Sequence, residues 1–163
     1  MKDINDLVDS SEFATSKKRL ITRGFKLAKA AREASTWKGP HLGASLIYKN
    51  RVLAMGWNSE KETKLQKSFN RYRTFDSEKY KNCEHAEIHA LRNLIRNYNL
   101  KEIDMKKVNI FIYREWKDGT PALAKPCIAC EMALRDVGIR NIFYTGENGI
   151  VYEHYDEKKK RKD

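Results

Sequence analysis

Read for the alternation of apolar and polar positions, the chain divides into helices and strands in mixed order. Leu20, Ile21, Phe25, Ala28 and Ala31 recur at helical spacing after Ser16, a good N-cap residue, and predict a packed helix over residues 17–33 with a basic outer face. Residues 41–58, HLGASLIYKNRVLAMGWN, read as two β-rich runs joined in a tight hairpin at Lys49-Asn50. A polar stretch over 59–82 follows, rich in Lys and Arg and interleaved with Phe69, Tyr72, Phe75 and Tyr80. It reads as a long loop, and loops of that length inside a compact domain are commonly functional.

From Glu84 onward Ile88, Leu91, Ile95 and Tyr98 form a helical stripe. The almost continuous apolar run VNIFIY, 108–113, marks an interior strand. A loop, REWKDGTPALAKP, leads to the short helix CIACEMALRDV, which stops at Gly138. NIFYTG, 141–146, predicts a strand, and ENG turns it into IVYEHY, a last strand running antiparallel to it. This order of elements gives a mixed sheet covered by helices, an α/β sandwich.

Length and charge add bounds. At 163 residues the chain fits one domain, 1–157, followed by a basic disordered tail, 158–163. No window approaches the roughly 18 to 20 apolar residues of a membrane span, and the N-terminal MKDINDLVDSSEF has no apolar run, so a soluble cytoplasmic protein with no membrane partner is expected. The net charge of +11 favours phosphate-bearing partners, free or polymeric. Three cysteines, two of them in C-x-x-C, point to metal or redox chemistry rather than a disulfide framework.

The candidate chemistry lies in two short motifs. Pro126-Cys127-Ile128-Ala129-Cys130 sits before a helix, so Cys127 and Cys130 share the face of its first turn, where the helix dipole favours the zinc-binding thiolate. A third ligand has to come from elsewhere, and His85 opens another helix. Three protein ligands leave one position open, the arrangement of a catalytic zinc. Glu87, two residues on, is a carboxylate placed to move protons. H-x-E followed by P-C-x-x-C is the signature of zinc nucleobase deaminases.

With GWN (56–58), HAE (85–87) and PCIAC (126–130) in this order, residues 41–146 resemble the cytidine and deoxycytidylate deaminase superfamily, including short phage-type members. The resemblance implies a three-layer α/β/α sandwich around a mixed five-stranded sheet. It implies a zinc ion held by His85, Cys127 and Cys130, and Glu87 as proton shuttle in the hydrolysis of cytosine to uracil. It also implies that Asn58 contacts the sugar and that the N–H of Ala86 faces the base carbonyl.

Some positions depart from the family pattern. His89 stands where deoxycytidylate deaminases often carry Asn, and it reads as a packed or outer-layer imidazole rather than a ligand. Cys83 reads as a partly buried thiol or, in a closed non-catalytic zinc module that binds nucleic acid, as a fourth ligand. Lys125 either meets a substrate phosphate or is a solvated loop residue, and Lys61, Lys64, Lys67, Arg71 and Arg73 carry the same two readings. A free cytosine nucleotide or nucleoside is the expected substrate, ahead of single-stranded nucleic acid. NRVLAMGWN and HAEIHALR also resemble tRNA adenosine deaminases, although the antiparallel ending does not. Family members often form homo-oligomers.

Overall fold

The computed structural model describes residues 3–73 and 83–156. Phe75, Tyr80 and the tail 158–163 lie outside the described residues. Five strands, β1 (Leu42–Tyr48), β2 (Arg51–Trp57), β3 (Asn109–Arg114), β4 (Asn141–Gly146) and β5 (Gly149–His154), form one sheet in the order β2-β1-β3-β4-β5. Five α-helices accompany it: α1 (Ile4–Asp9), α2 (Thr15–Arg32), α3 (Lys64–Phe69), α4 (Ala86–Asn97) and α5 (Ile128–Val137). β3 and β4 are parallel and are joined through α5, since a parallel pair needs a crossover of helix length. Every other pairing is antiparallel, the last included, with Asn141 opposite His154 and Gly146 opposite Gly149.

The turn between β1 and β2 shows why a two-residue hairpin works at an unpromising dipeptide. Lys49 and Asn50 both take positive φ, 49° and 63°, as a type I′ turn demands, and the Arg23 guanidinium donates to the Asn50 carbonyl.

Alternation along β3 and β4 separates two cores. Phe111, Tyr113 and Phe143 pack with Ile21, Phe25 and Ala28 of α2 and with Ile4 and Val8 of α1. Ile110, Ile112, Ile142 and Tyr144 pack on the opposite face with Ile88, Leu91 and Leu94 of α4 and with Ala133 and Leu134 of α5. The result is the expected three-layer sandwich. Glycines let the helices sit close: a Cβ at Gly43 would lie 1.9 Å from the Ala28 carbonyl of α2, and one at Gly56 would lie 2.3 Å from the Ala90 nitrogen of α4.

Three local differences from the sequence reading have physical causes. α2 begins at Thr15 with Ala14 at the N-cap and no side-chain cap bond, so Ser16 lies inside its first turn. α1 is held by a reciprocal Asp3–Asp6 capping box and buries Ile4, Leu7 and Val8, a pattern too short to register as a periodicity. The stretch read as a loop contains α3, capped by the Thr63 hydroxyl, which accepts from the Gln66 N–H. Among the described residues, no helix is long and apolar enough to cross a membrane.

Candidate active site

The N-termini of α4 and α5 meet at one corner of the sheet. His85 is the N-cap of α4 and Cys127 the N-cap of α5, both with extended backbone and neither with its side chain turned back to cap its helix. Cys130 follows in the first turn of α5. The His85 Nδ1 lies 3.4 Å from the Cys127 Sγ and 3.3 Å from the Cys130 Sγ, and the three ligand atoms fall within 4.8 Å of one another. A tetrahedral zinc with ordinary Zn–S and Zn–N bonds spaces its ligands about 3.6 Å apart, so this donor set fits that ion with little movement. Soft thiolates with one imidazole select zinc over magnesium or calcium.

Electrostatics within the cluster follow from its crowding and burial. Hydrogen bonding from Cys130, and then the neighbouring His85, pull the Cys127 thiol down to about 4, while burial first and Cys127 second hold Cys130 well above the usual thiol range. Burial by itself lowers His85, but the hydrogen bond and charge of Cys127 and the charge of Glu87 outweigh it and leave the imidazole more basic than when free. Glu87, in the first turn of α4, is 3% exposed, and burial raises its carboxyl against the opposing pull of the His85 charge. A buried carboxyl whose affinity for a proton is raised is the type of group that serves as general acid and base.

Other groups fix the corner. The Gln66 carbonyl oxygen accepts from the His85 N–H at 2.9 Å, and the Gln66 amide donates to Asn70. Gln66 was missed from the sequence, although Thr63-Lys64-Leu65-Gln66 has the spacing of a helix-starting capping box. Here the glutamine side chain reaches across to α4 instead of back to its own N-cap.

A cavity of about 270 Å³ opens beside the cluster. His85, Glu87, Ala86, Asn58, Lys125 and Cys127 all line it, so the sequence candidates are gathered at one place. Asn58 is 5% exposed and brackets the approach segment: its Oδ1 accepts from the Leu42 N–H and the Ser35 hydroxyl, and its Nδ2 donates to the Pro40 carbonyl. One Nδ2 hydrogen remains by count. As the first helical N–H, that of Ala86 has no intrahelical acceptor. Lys125 lies 3.6 Å from Glu153, so its charge is shared with a carboxylate. Trp37, Arg114 and Leu123 also line the cavity and were not singled out from the sequence. They come from loops and a strand end distant in the chain, with no shared motif.

The doubtful neighbours resolve. The His89 Nδ1 accepts the Trp57 N–H at 3.1 Å and its ring meets Trp57 edge-on, so His89 is a neutral packed imidazole protonated at Nε2. Cys83 is buried at the cavity, its thiol pushed up to about 11 by burial, and it stands outside the metal-capable group. Glu84 precedes α4 instead of occupying its first turn. It pairs with Ser59 in a β-bridge, and its carboxylate, 1% exposed, takes two hydrogen bonds from Arg92 at 2.9 and 3.1 Å.

The family model described as the cytidine and deoxycytidylate deaminase zinc-binding region matches residues 16–146. The chain belongs to that family, and its class of activity is deamination of the cytidine deaminase type, with zinc as the cofactor that His85, Cys127 and Cys130 fit. Among solved structures, the fold is similar to a cytidine deaminase from Burkholderia pseudomallei, at a TM-score of 0.54 and 19% identity over 81% of this chain and 90% of that one. It is equally similar to the apo dCMP deaminase from the cyanophage S-TIM5, at 0.53 and 19% identity over 81% of this chain and 84% of that one. Among curated proteins, none matches the sequence.

Proposed function

We propose that the protein hydrolyses the exocyclic amine of cytosine in a nucleotide or nucleoside, giving uracil and ammonia. The observation that carries this reading is Glu87, a buried carboxyl of raised pKa set against the His85, Cys127 and Cys130 cluster at the wall of an open cavity. His85 through Nδ1 and the two cysteines through Sγ would hold the zinc. When bound, zinc makes a water acidic enough to act as nucleophile at neutral pH.

The remaining work falls to side chains and backbone of the chain. Glu87 takes the proton that the attacking water gives up and delivers it to ring N3, then takes the proton of the hydroxyl now on C4 and passes it to the amino group, which leaves as ammonia. The Ala86 N–H, at the positive end of α4, meets the base carbonyl. The remaining Asn58 amide hydrogen meets the sugar. Arg73, Arg114 and Lys125 make the cavity rim cationic, which suits a phosphate on the substrate. A free nucleotide or nucleoside remains the first expectation from the sequence. Cytosine within a single strand is the second reading, favoured by the aromatic and cationic rim described below.

Glu87→Gln in the zinc-loaded protein tests the reading. Uracil formation from dCMP, cytidine and a cytosine oligonucleotide is expected to fall about 10³-fold with zinc content unchanged. Wild-type turnover in that variant would remove the proposal.

A further inference from the structure

Next to the cavity stands an aromatic side chain that the cytosine pocket itself does not use. Trp116 is 51% exposed, yet its backbone is firmly held. Its N–H donates to the Thr120 carbonyl at 2.8 Å, its carbonyl accepts from the Gly119 N–H at 2.9 Å, and Glu115 pairs with Pro121 in a β-bridge. Gly119 takes a φ of 86°, which lets the chain reverse so tightly. The ring is therefore presented to solvent on a closed tip rather than on a slack loop.

Arg114 connects this tip to the cavity. It lines the cavity, its guanidinium carbon lies 5.1 Å from the centre of the Trp116 ring, and its Nη1 donates to the Leu123 carbonyl at 3.3 Å. Leu123, 47% exposed, lines the cavity too. The Arg114 Nε is buried without a hydrogen-bond partner, and among the described residues no carboxylate pairs with this guanidinium. Lys125 by contrast has Glu153. At the mouth of the cavity there is thus, among the described residues, a cation without a carboxylate partner set over a half-exposed indole.

We infer that Trp116 and Arg114 form a second nucleotide subsite, in which the base adjoining the target cytosine stacks on Trp116 and Arg114 faces the phosphodiester between them. The substrate class is then a single-stranded oligonucleotide. This rests on the cytosine deamination reading and, within it, takes the strand as the substrate in place of the free nucleotide. A free nucleotide fills the cavity and leaves Trp116 untouched, whereas base–aromatic stacking is worth enough to justify holding an indole in water. Arg, being planar and weakly hydrated, is the cation that stacks on a ring and still offers N–H groups to a phosphate.

The test uses the zinc-loaded full chain, with dCMP, a single-stranded pentanucleotide bearing a central cytosine, and the same pentanucleotide with abasic flanks. Wild type is expected to favour the intact pentanucleotide. Trp116→Ala is expected to lower kcat/KM on it about tenfold, mainly through KM, and to leave dCMP unchanged. Trp116→Tyr restores most of the loss, and the abasic flanks cost wild type the same factor but cost Trp116→Ala nothing more. Equal losses on dCMP and pentanucleotide, no loss on the pentanucleotide, or a Trp116-dependent dimer by light scattering would each overturn the subsite. Absence of uracil from every cytosine substrate would sink the deamination reading instead. In that event fluorescence anisotropy of the labelled pentanucleotide still decides the subsite: it stands if Trp116→Ala weakens binding and falls if binding is unchanged.

Discussion

The two faces of the sheet are built on different terms. On the α2 face Phe25 meets Phe111 edge-on at 5.5 Å and Phe111 stacks on Phe143 at 4.9 Å, and the buried Ser45 hydroxyl is satisfied by the Gly24 carbonyl at 2.7 Å. On the α4 and α5 face Glu84, Glu87 and His89 are buried among or beside Ile88, Leu91 and Leu94. Burying a carboxyl opposes folding unless a partner compensates it. Glu84 has such a partner in Arg92, an ion pair, whereas Glu87 leans on the sulfur and imidazole cluster and its own backbone N–H. The difference teaches where to look for chemistry: the face that carries uncompensated polar groups is the one with work to do, and the other supplies stability.

The largest expected break in this contrast is at a ligand. Cys130→Ser is expected to reduce zinc affinity by more than the roughly 10- to 100-fold lost with an outer partner, and to take deamination to background. Ser45→Ala, equally buried on the other face, is expected to leave both unchanged while lowering stability by about 1 kcal/mol. Metal analysis after dialysis, with the uracil assay, checks the pair. Normal zinc retention by Cys130→Ser would show that the ligand set is wrong.

Next come the two glycines. Gly43→Ala drives a methyl into α2 at the Ala28 carbonyl, and Gly56→Ala drives one into α4 at the Ala90 nitrogen and the Ala86 carbonyl. Both are expected to lose about 3 kcal/mol of stability in urea titration, since the obstacles are backbone. Only Gly56→Ala displaces the helix that carries His85 and Glu87, so only that variant is expected to lose turnover per folded molecule. Equal activity in the two would mean that the corner is positioned by α5 and Gln66 rather than by the seating of α4. Arg92→Ala is a smaller blow to the same helix. It leaves the Glu84 carboxylate buried without its partner, but Arg92 is a quarter exposed and water can follow, so about 2 kcal/mol is expected.

Legibility in the sequence followed the same division. The strands of both faces, α2, α4 and α5 could be read because their apolar positions repeat over several turns or residues, and the antiparallel end because no helix fits between Gly146 and Gly149. His85, Glu87, Cys127 and Cys130 could be read because each pair lies within one helical turn, so local spacing determines their mutual placement. Trp37, Arg114 and Leu123 could not, because they reach the cavity from a loop, a strand end and a second loop, and tertiary contacts alone bring them together. The setting of Glu84 was hidden for a related reason: its partner Arg92 is eight residues away, and it pairs across to Ser59 in a bridge. α3 was within reach through Thr63 and Gln66, but two apolar positions, Leu65 and Phe69, are too few to show a period.

The smallest expected effect separates the faces by pH. An exposed glutamate titrates near 4.5, and burial raises Glu87 above that in the zinc-free protein. The folded state then binds this proton more tightly than the unfolded chain does. The stability due to the protonated carboxyl is fully present below 4.5, is lost as pH rises through the folded value, and stays lost above it. Glutamine keeps the shape without the charge. Zinc-free Glu87→Gln is therefore expected to be more stable than zinc-free wild type at pH 8 by about 1 kcal/mol, with the difference closing at pH 4, as read from urea midpoints. Ser45→Ala removes no titrating group, so it is expected to differ from wild type about equally at both pH values. A Glu87→Gln difference that is likewise equal at both would mean that Glu87 is not a carboxyl held against its charge, and that the active corner is no more strained than the core behind it.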